Sequence, residues 1–356
     1  MLSRKSKPII LLEDTYSEND LAEFVKKHPY CSEIDQFDIQ IEELFEIHHP
    51  HLRMSDEFEL QKTSYIKKYT NGCKRTSGNW VYYPWRNVLV HMLNAHDFYQ
   101  VKTNRNKLLI SEVEQNKLQN FSIGIIGLSI GGVMAQTLAR MGFSNKMKLI
   151  DFDQISLSNL NRLPHGILSI GNSKALEQAK LLYEIDPYMD LLVSEEKLST
   201  VTLANFFSYD YAPSLIVDAI DDFKMKIQIR LEARKRRIPV VMLTSLGDNL
   251  LIDVERYDID KDYPLFHGVN DEIIDEILAT ERVSVEIMKK FATQLVGKKN
   301  IPKRALESLS QINKTLVGRP QLYSTVVFGS VVLSKLIRKI ALTERCHSGR
   351  YKKIIV

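Results

Sequence analysis

The sequence predicts an α/β fold: a doubly wound, mostly parallel sheet with an N-terminal α+β appendage and a helical C-terminal tail. Three observations carry that reading. From about residue 118, short β-branched apolar runs alternate with amphipathic helical runs, the rhythm of a parallel sheet covered by helices. A glycine-rich turn containing Gly127, Ser129, Gly131 and Gly132 sits where the first such run passes into a helix. Asp151 then ends the next apolar run, one βα unit further on.

The elements follow in order. Residues 1–110 mix short apolar patches with many charges: a strand at 9–12 and amphipathic helices at 18–27 and 38–47. A turn-rich basic stretch, 71–79, leads into Trp80, Tyr82, Tyr83 and Trp85, and reads as a loop or a domain edge. Strands are expected at 122–127, 146–151, 191–194, 215–218 and 240–244, with helices at 131–141, 174–184 and 223–236 between them. A further strand, 250–257, fits an antiparallel partner, and helices at 272–279, 283–295, 303–314 and 322–340 complete the tail. Two domains result: 1–110, an accessory region expected to select the substrate, and 111–356, which holds the nucleotide chemistry.

Composition narrows the function. Among 356 residues, 48 Lys+Arg oppose 44 Asp+Glu, a net charge of +4, with 44% hydrophobic and 26% charged residues. That balance is globular and excludes collagen-like, mucin-like and largely disordered chains. It gives no electrostatic reason to expect nucleic acid or a membrane as partner. Cys31, Cys73 and Cys346 are far apart and form no CxxC pair, so neither a four-cysteine zinc site nor a disulfide framework is expected, and a reducing cytoplasm is. The apolar run at 9–12 is too short for a secretory signal. The uncharged stretch 118–139 is broken by polar residues and glycines, and 320–334 is too short to span a bilayer.

The turn at Gly127–Gly132 matches the GxGxxG pattern except that Ser129 replaces the middle glycine. Glycine there lets backbone approach a phosphate at a helix N-terminus, and an acid at the end of the next strand accepts from ribose hydroxyls. A tight turn without ligand also favours glycine, but Asp151 tips the balance toward a Rossmann-like nucleotide site. Arg162, Lys174 and Asp221 follow at loop positions after successive strands. Attack on an α-phosphorus expels pyrophosphate, which calls for cations on the triphosphate and a carboxylate for Mg²⁺. Hydride transfer needs none of these.

The run Asp151-Phe-Asp153, then Leu-Ser-Asn159-Leu-Asn-Arg162, resembles the ThiF/MoeB/HesA superfamily, relatives of the ubiquitin-activating enzymes, over about 105–254. The resemblance implies ATP and Mg²⁺ as cofactors and adenylation of a carboxylate, that of a peptide or small protein. It implies that Gly127, Ser129, Gly131, Gly132, Asp151, Asp153 and Asn159 bind the nucleotide, Asp151 through ribose. It further implies that Asn159, Arg162 and Lys174 contact phosphates, that Asp221 holds the metal, and that Arg105 reaches into the partner's site in a homodimer. Residues 78–86 and the Asp253-Val-Glu-Arg-Tyr run, with Pro264-Leu-Phe-His, are similar to a bacterial subgroup often fused to a nitroreductase-like domain, for which this chain has no room. With no cysteine between Val240 and Cys346, a thioester step is not expected.

Other features have plainer readings. Cys73 in its basic stretch reads as inert, and His48, His49 and His51 as a solvated loop after a helix. The basic run Arg234–Arg237 complements a helix C-terminus. The aromatics at 80–85 read as packing in preference to a substrate groove. His165 and His267 cannot be placed from sequence. Two alternatives stay open: a nicotinamide- or flavin-dependent oxidoreductase, and a catalytically inactive nucleotide-binding scaffold.

Overall fold

The computed structural model describes residues 2–281 and 283–354, and the chain divides into two compact units. The smaller comprises Ser6–Gln115 with Asp186–Tyr188, and the larger Met1–Lys5, Asn116–Ile185 and Met189–Val356.

In the smaller unit the chain runs β1 (Ile9–Leu11), α1 (Glu18–Lys27), β2 (Ser32–Asp35), α2 (Phe37–His48), α3 (Phe58–Tyr69), β3 (Asn79–Tyr83), β4 (Val88–Met92) and α4 (Ala95–Thr103). Its sheet has the order β1-β3-β4-β2, antiparallel except where β2 pairs with β4. Helix α1 starts at a capping box: Asp20 N–H donates to Ser17 Oγ at 3.3 Å, and Ser17 N–H donates to Asp20 Oδ2 at 2.8 Å. Such a cap contributes about 1 kcal/mol.

The aromatic run corrects the sequence reading. It is neither loop nor domain edge: Trp80, Tyr82 and Tyr83 belong to β3, in the interior of the sheet and buried along its whole length. Trp80 packs with Leu21 and Leu89, donates Nε1–H to the Arg75 carbonyl at 3.0 Å, and stacks on His91 at 4.2 Å. Lys74 and Arg75 are committed to Asp38 and Glu33 at 2.6 and 2.9 Å. The segment therefore offers no open aromatic groove with spare cations. His48 is likewise the last residue of α2, bonded to Tyr65 Oη and Gln100 Oε1, and not part of a loop.

Helix α5 (Glu112–Asn120) leads into β5 (Ile123–Ile126), α6 (Ile130–Arg140), β6 (Lys146–Ile150), α7 (Lys174–Ile185), β7 (Asp190–Ser194), α8 (Thr200–Ser208), β8 (Leu215–Asp218), α9 (Phe223–Arg236), β9 (Val240–Leu246) and β10 (Asn249–Glu255). The tail carries α10 (Asp271–Ala279), α11 (Val285–Val296), α12 (Lys303–Leu309), α13 (Tyr323–Ala341) and β11 (Gly349–Ile354). Seven strands take the order β11-β10-β9-β8-β5-β6-β7, parallel from β9 to β7 and antiparallel at β10 and β11.

Alternation along the strands assigns the two faces. Ile126, Ile216 and Met242 enter a core with Phe206 of α8, Ile229 of α9 and Phe291 of α11. The intervening positions meet the other helices: a Cβ on Gly131 of α6 would lie 2.7 Å from Ile125, and one on Gly329 of α13 would lie 2.6 Å from Leu243. Those glycines let α6 and α13 settle directly on the sheet. Helix α8 and strand β11 were not expected from the sequence, and the expected helix at 303–314 stops at Leu309, where turns around Gln311 take over. No helix among the described residues is long and apolar enough to cross a membrane.

Candidate functional site

Strand order reverses between β5 and β8: β6 and β7 lie on one side of that pair, and β9 on the other. Loops leaving the carboxyl ends of β5 and β8 therefore diverge to opposite faces and leave a crevice, the position where open α/β sheets bind ligands. Gly127 stands in that crevice with φ +90°, a conformation that disfavours side chains, and a Cβ there would lie 2.5 Å from the Ala219 carbonyl oxygen. The β5–α6 turn and the β8–α9 loop are thus in backbone contact, fixed further by Ala219 N–H donating to Ile126 O at 2.8 Å. Ser129 is the N-cap of α6, yet its side chain makes no capping bond. Gly131 and Gly132 serve packing, the latter against Gln178, whose side-chain amide is fully buried without a partner.

Asp151 braces this turn. Its Oδ2 accepts Leu128 N–H at 2.7 Å, and its Oδ1 accepts Asp153 N–H at 2.9 Å. Burial pushes the Asp151 carboxyl above the usual carboxylate range, opposed by the Lys174 charge and the two N–H donors. Lys174, buried at the start of α7, donates Nζ–H to Asp153 Oδ2 at 2.7 Å. Hydrogen bonds thus link the turn after Gly127, through Leu128, to Asp151, Asp153 and Lys174.

Asn159 is buried and accepts Ser156 N–H, so it holds its own turn. Arg162 spends Nη1 on Ser158 O and Asn161 Oδ1, while its Nε is buried without a partner. Burial pushes its guanidinium down, opposed by the Asp221 carboxylate. Asp221 is open to solvent, and its Oδ1 accepts from Arg319 Nη2 at 3.1 Å. Arg319 had no sequence signal, because it sits in an unpatterned loop far along the chain.

Ser129, Asp221 and Arg319 share the wall of a cavity of about 1000 Å³, closed opposite by side chains of α11 and α12. Beneath it lies a buried charge network that sequence reasoning also missed. Asp218, at the end of β8, accepts from Lys226 Nζ at 2.9 Å and Arg230 Nη1 at 2.6 Å; Arg230 Nε reaches Glu255 Oε2 at 2.6 Å. Cations on the buried face of a helix were the readable clue. The pairing holds the Asp218 carboxyl below its ordinary range despite full burial.

Arg105 is exposed and belongs to the smaller unit. His165 has both ring nitrogens buried without partners, and burial pushes its pKa down. His267 lies in a separate cluster, with Nε2 at 2.9 Å from Asp253. Among the described residues no group of three or more His, Cys, Asp and Glu is placed to hold a metal.

Known proteins bear on this geometry. The model of the ThiF family matches residues 103–248. The uncharacterized protein MT1398 of Mycobacterium tuberculosis is 34% identical over 273 residues, 77% of this chain and 37% of the relative. The tRNA threonylcarbamoyladenosine dehydratase of Bacillus subtilis is 29% identical over 157 residues, 44% of this chain and 60% of the relative. The chain thus spans less than two thirds of either relative. A crystal structure of the E. coli tRNA N6-threonylcarbamoyladenosine dehydratase in complex with AMP shares the fold at TM-score 0.52 and 19% identity, covering 70% of this chain and 98% of that one. Residues 103–248, most of them in the larger unit, are thus similar to the ThiF family, and the fold is shared with the E. coli dehydratase structure.

Proposed function

We propose that the chain catalyses ATP- and Mg²⁺-dependent adenylation of a carboxylate, that of a peptide or small-protein C-terminus. A carboxylate oxygen attacks the α-phosphorus, a C–O–P linkage forms, the bond from the α-phosphorus to the bridging oxygen breaks, and pyrophosphate leaves. The observation that carries the reading is the crevice between β5 and β8, where the Gly127 turn meets the loop bearing Asp221. Ligands of open α/β sheets bind at that switch point, and the free N–H groups at the start of α6 suit phosphate.

In this reading Asp151 receives the ribose, while Arg162 and Lys174 neutralise charge that grows on the departing phosphates. The orphaned Nε of Arg162 is a donor suited to such an anion. Asp221 fits a magnesium ion held by one carboxylate together with phosphates and water, the usual pattern in phosphoryl-transfer sites. The ion would screen the triphosphate. The enzyme acts as a cytoplasmic homodimer in which Arg105 serves the other subunit.

ATP–pyrophosphate exchange tests the proposal, with peptide carboxylates and carboxylate-bearing tRNA as separate arms, because the B. subtilis relative is named for tRNA. Peptide-dependent exchange supports the reading, and exchange with tRNA alone would replace its substrate. Nicotinamide or flavin binding without any exchange would return the site to redox chemistry.

A further inference from the structure

The cavity beside Asp221 is much larger than a carboxylate requires, and its far wall is mostly apolar, with Lys289, Thr293 and Ser308 as its polar members. Met288 of α11 and Leu306 and Leu309 of α12 line it, and they are 37%, 50% and 44% exposed. Large apolar side chains left that open on the walls of one concave site mark a surface that gains free energy when an apolar group enters. The same walls carry polar anchors: Ser245 Oγ and Gln321 Oε1 are buried without partners, and Arg319 stands at the Asp221 end. A few fixed polar groups among apolar walls is the composition of a ligand site, and about 1000 Å³ accommodates a bulky side chain with the backbone that precedes it.

We propose that this cavity selects the acyl substrate by a bulky apolar group next to the activated carboxylate, a C-terminal residue of the leucine or phenylalanine kind. The inference rests on the adenylation reading and deepens it. Arg319 receives the carboxylate near Asp221, Ser245 and Gln321 satisfy polar atoms of the neighbouring peptide unit, and Met288, Leu306 and Leu309 enclose the side chain. A terminal glycine would leave that wall wet. Specificity then belongs to the helical tail of the larger unit, and the aromatic run in β3 has no part in it.

The test uses the full chain and peptides identical except for a last residue of Leu, Phe, Gly or Asp, with isobutyl- and phenyl-substituted acetic acids as small-acid arms. Direct peptide binding and ATP–pyrophosphate exchange are measured in parallel. Burial of one such side chain corresponds to a preference on the order of 10- to 100-fold over glycine in both readouts. Leu306→Glu and Leu309→Glu, at exposed positions, should erase the preference while ATP binding is retained. Exchange without preference, or preference unchanged in both variants, overturns the cavity assignment and leaves adenylation standing. Preferential binding that the variants abolish, without exchange, supports the cavity and overturns adenylation. Small acids matching the peptides would keep the apolar specificity but overturn the peptide as its source.

Discussion

Two glycines separate backbone strain from close approach. Gly127 and Gly171 have φ of +90° and +83°, so alanine at either meets the same left-handed penalty, about 1–2 kcal/mol. At Gly171 nothing lies within 4 Å of an added Cβ, and Gly171→Ala should cost only that. At Gly127 the methyl would lie 2.5 Å from the Ala219 carbonyl oxygen, about 1 Å inside ordinary carbon–oxygen contact. Overpacking of that kind adds about 1–3 kcal/mol, for a total of about 2–5 kcal/mol. The contact is backbone, so relief requires the β8–α9 loop to move and Asp221 with it. Urea denaturation of both variants, with ATP affinity by calorimetry, measures the difference. Gly127→Ala should be the less stable and should bind ATP at least tenfold more weakly. Equal stability, or unchanged ATP affinity in Gly127→Ala, would refute the claim that the two loops form one rigid cradle.

Arg162→Ala and Lys174→Ala should each lower pyrophosphate exchange by roughly 100- to 1000-fold while ATP binding weakens less; unchanged exchange rates would remove both from the chemistry. Asp221→Asn should abolish the Mg²⁺ dependence of turnover, whereas Asp151→Asn should mainly weaken ATP binding. Because burial raises the Asp151 carboxyl and its ionised form accepts Leu128 N–H, wild-type affinity should fall as acid protonates it, a dependence that calorimetry should find flattened in Asp151→Asn. Lys148, fully buried with Nζ donating to Phe206 O and Tyr209 O, has its ammonium pushed down to about 8 from 10.5. The unfolded chain then holds the extra proton between those values, so Lys148 should add stability as pH rises through that window, by up to about 1.4 kcal/mol per pH unit, and the difference from Lys148→Met should track it in denaturation curves. Arg230→Met should cost about 3–5 kcal/mol in the same assay by leaving Glu255 buried without its cation and Asp218 with Lys226 alone.

Much of the larger unit was legible because local and tertiary signals agree there. Helix α9 starts at the Asp222 cap and ends in cations before Pro239, and the apolar runs of β5, β6 and β8 are buried in a parallel sheet. Elsewhere the deciding partner is remote. Strand β11 reads as a basic polar run, Gly-Arg-Tyr-Lys-Lys-Ile, and is a strand because β10 offers an edge. Helix α8 carries β-branched and aromatic residues that argue against helix, overruled by the Ser199–Thr202 capping box and the burial of Phe206 and Phe207. In β3 every residue is buried, so no alternation marks the strand. At the site, the loop residue types were readable, but Arg319 and the unpartnered Ser245 reach the cavity through folding alone.

The sheet's outer strands are met by opposite ends of the described chain. Ser3 exchanges backbone hydrogen bonds with Val193 of β7 at 3.0 and 2.8 Å, Arg4 pairs with Asp190, and β11 runs along β10 from Gly349 to Ile354. On the ribosome Ser3 therefore waits for Val193 to be made, roughly ten to forty seconds at ordinary elongation rates. Strand β10 waits in turn until Gly349 has emerged. During both intervals a half-finished sheet presents unpaired N–H and C=O groups to neighbouring nascent chains. Translation speed and chaperone supply, more than the stability of the finished fold, should govern how much protein a cell recovers.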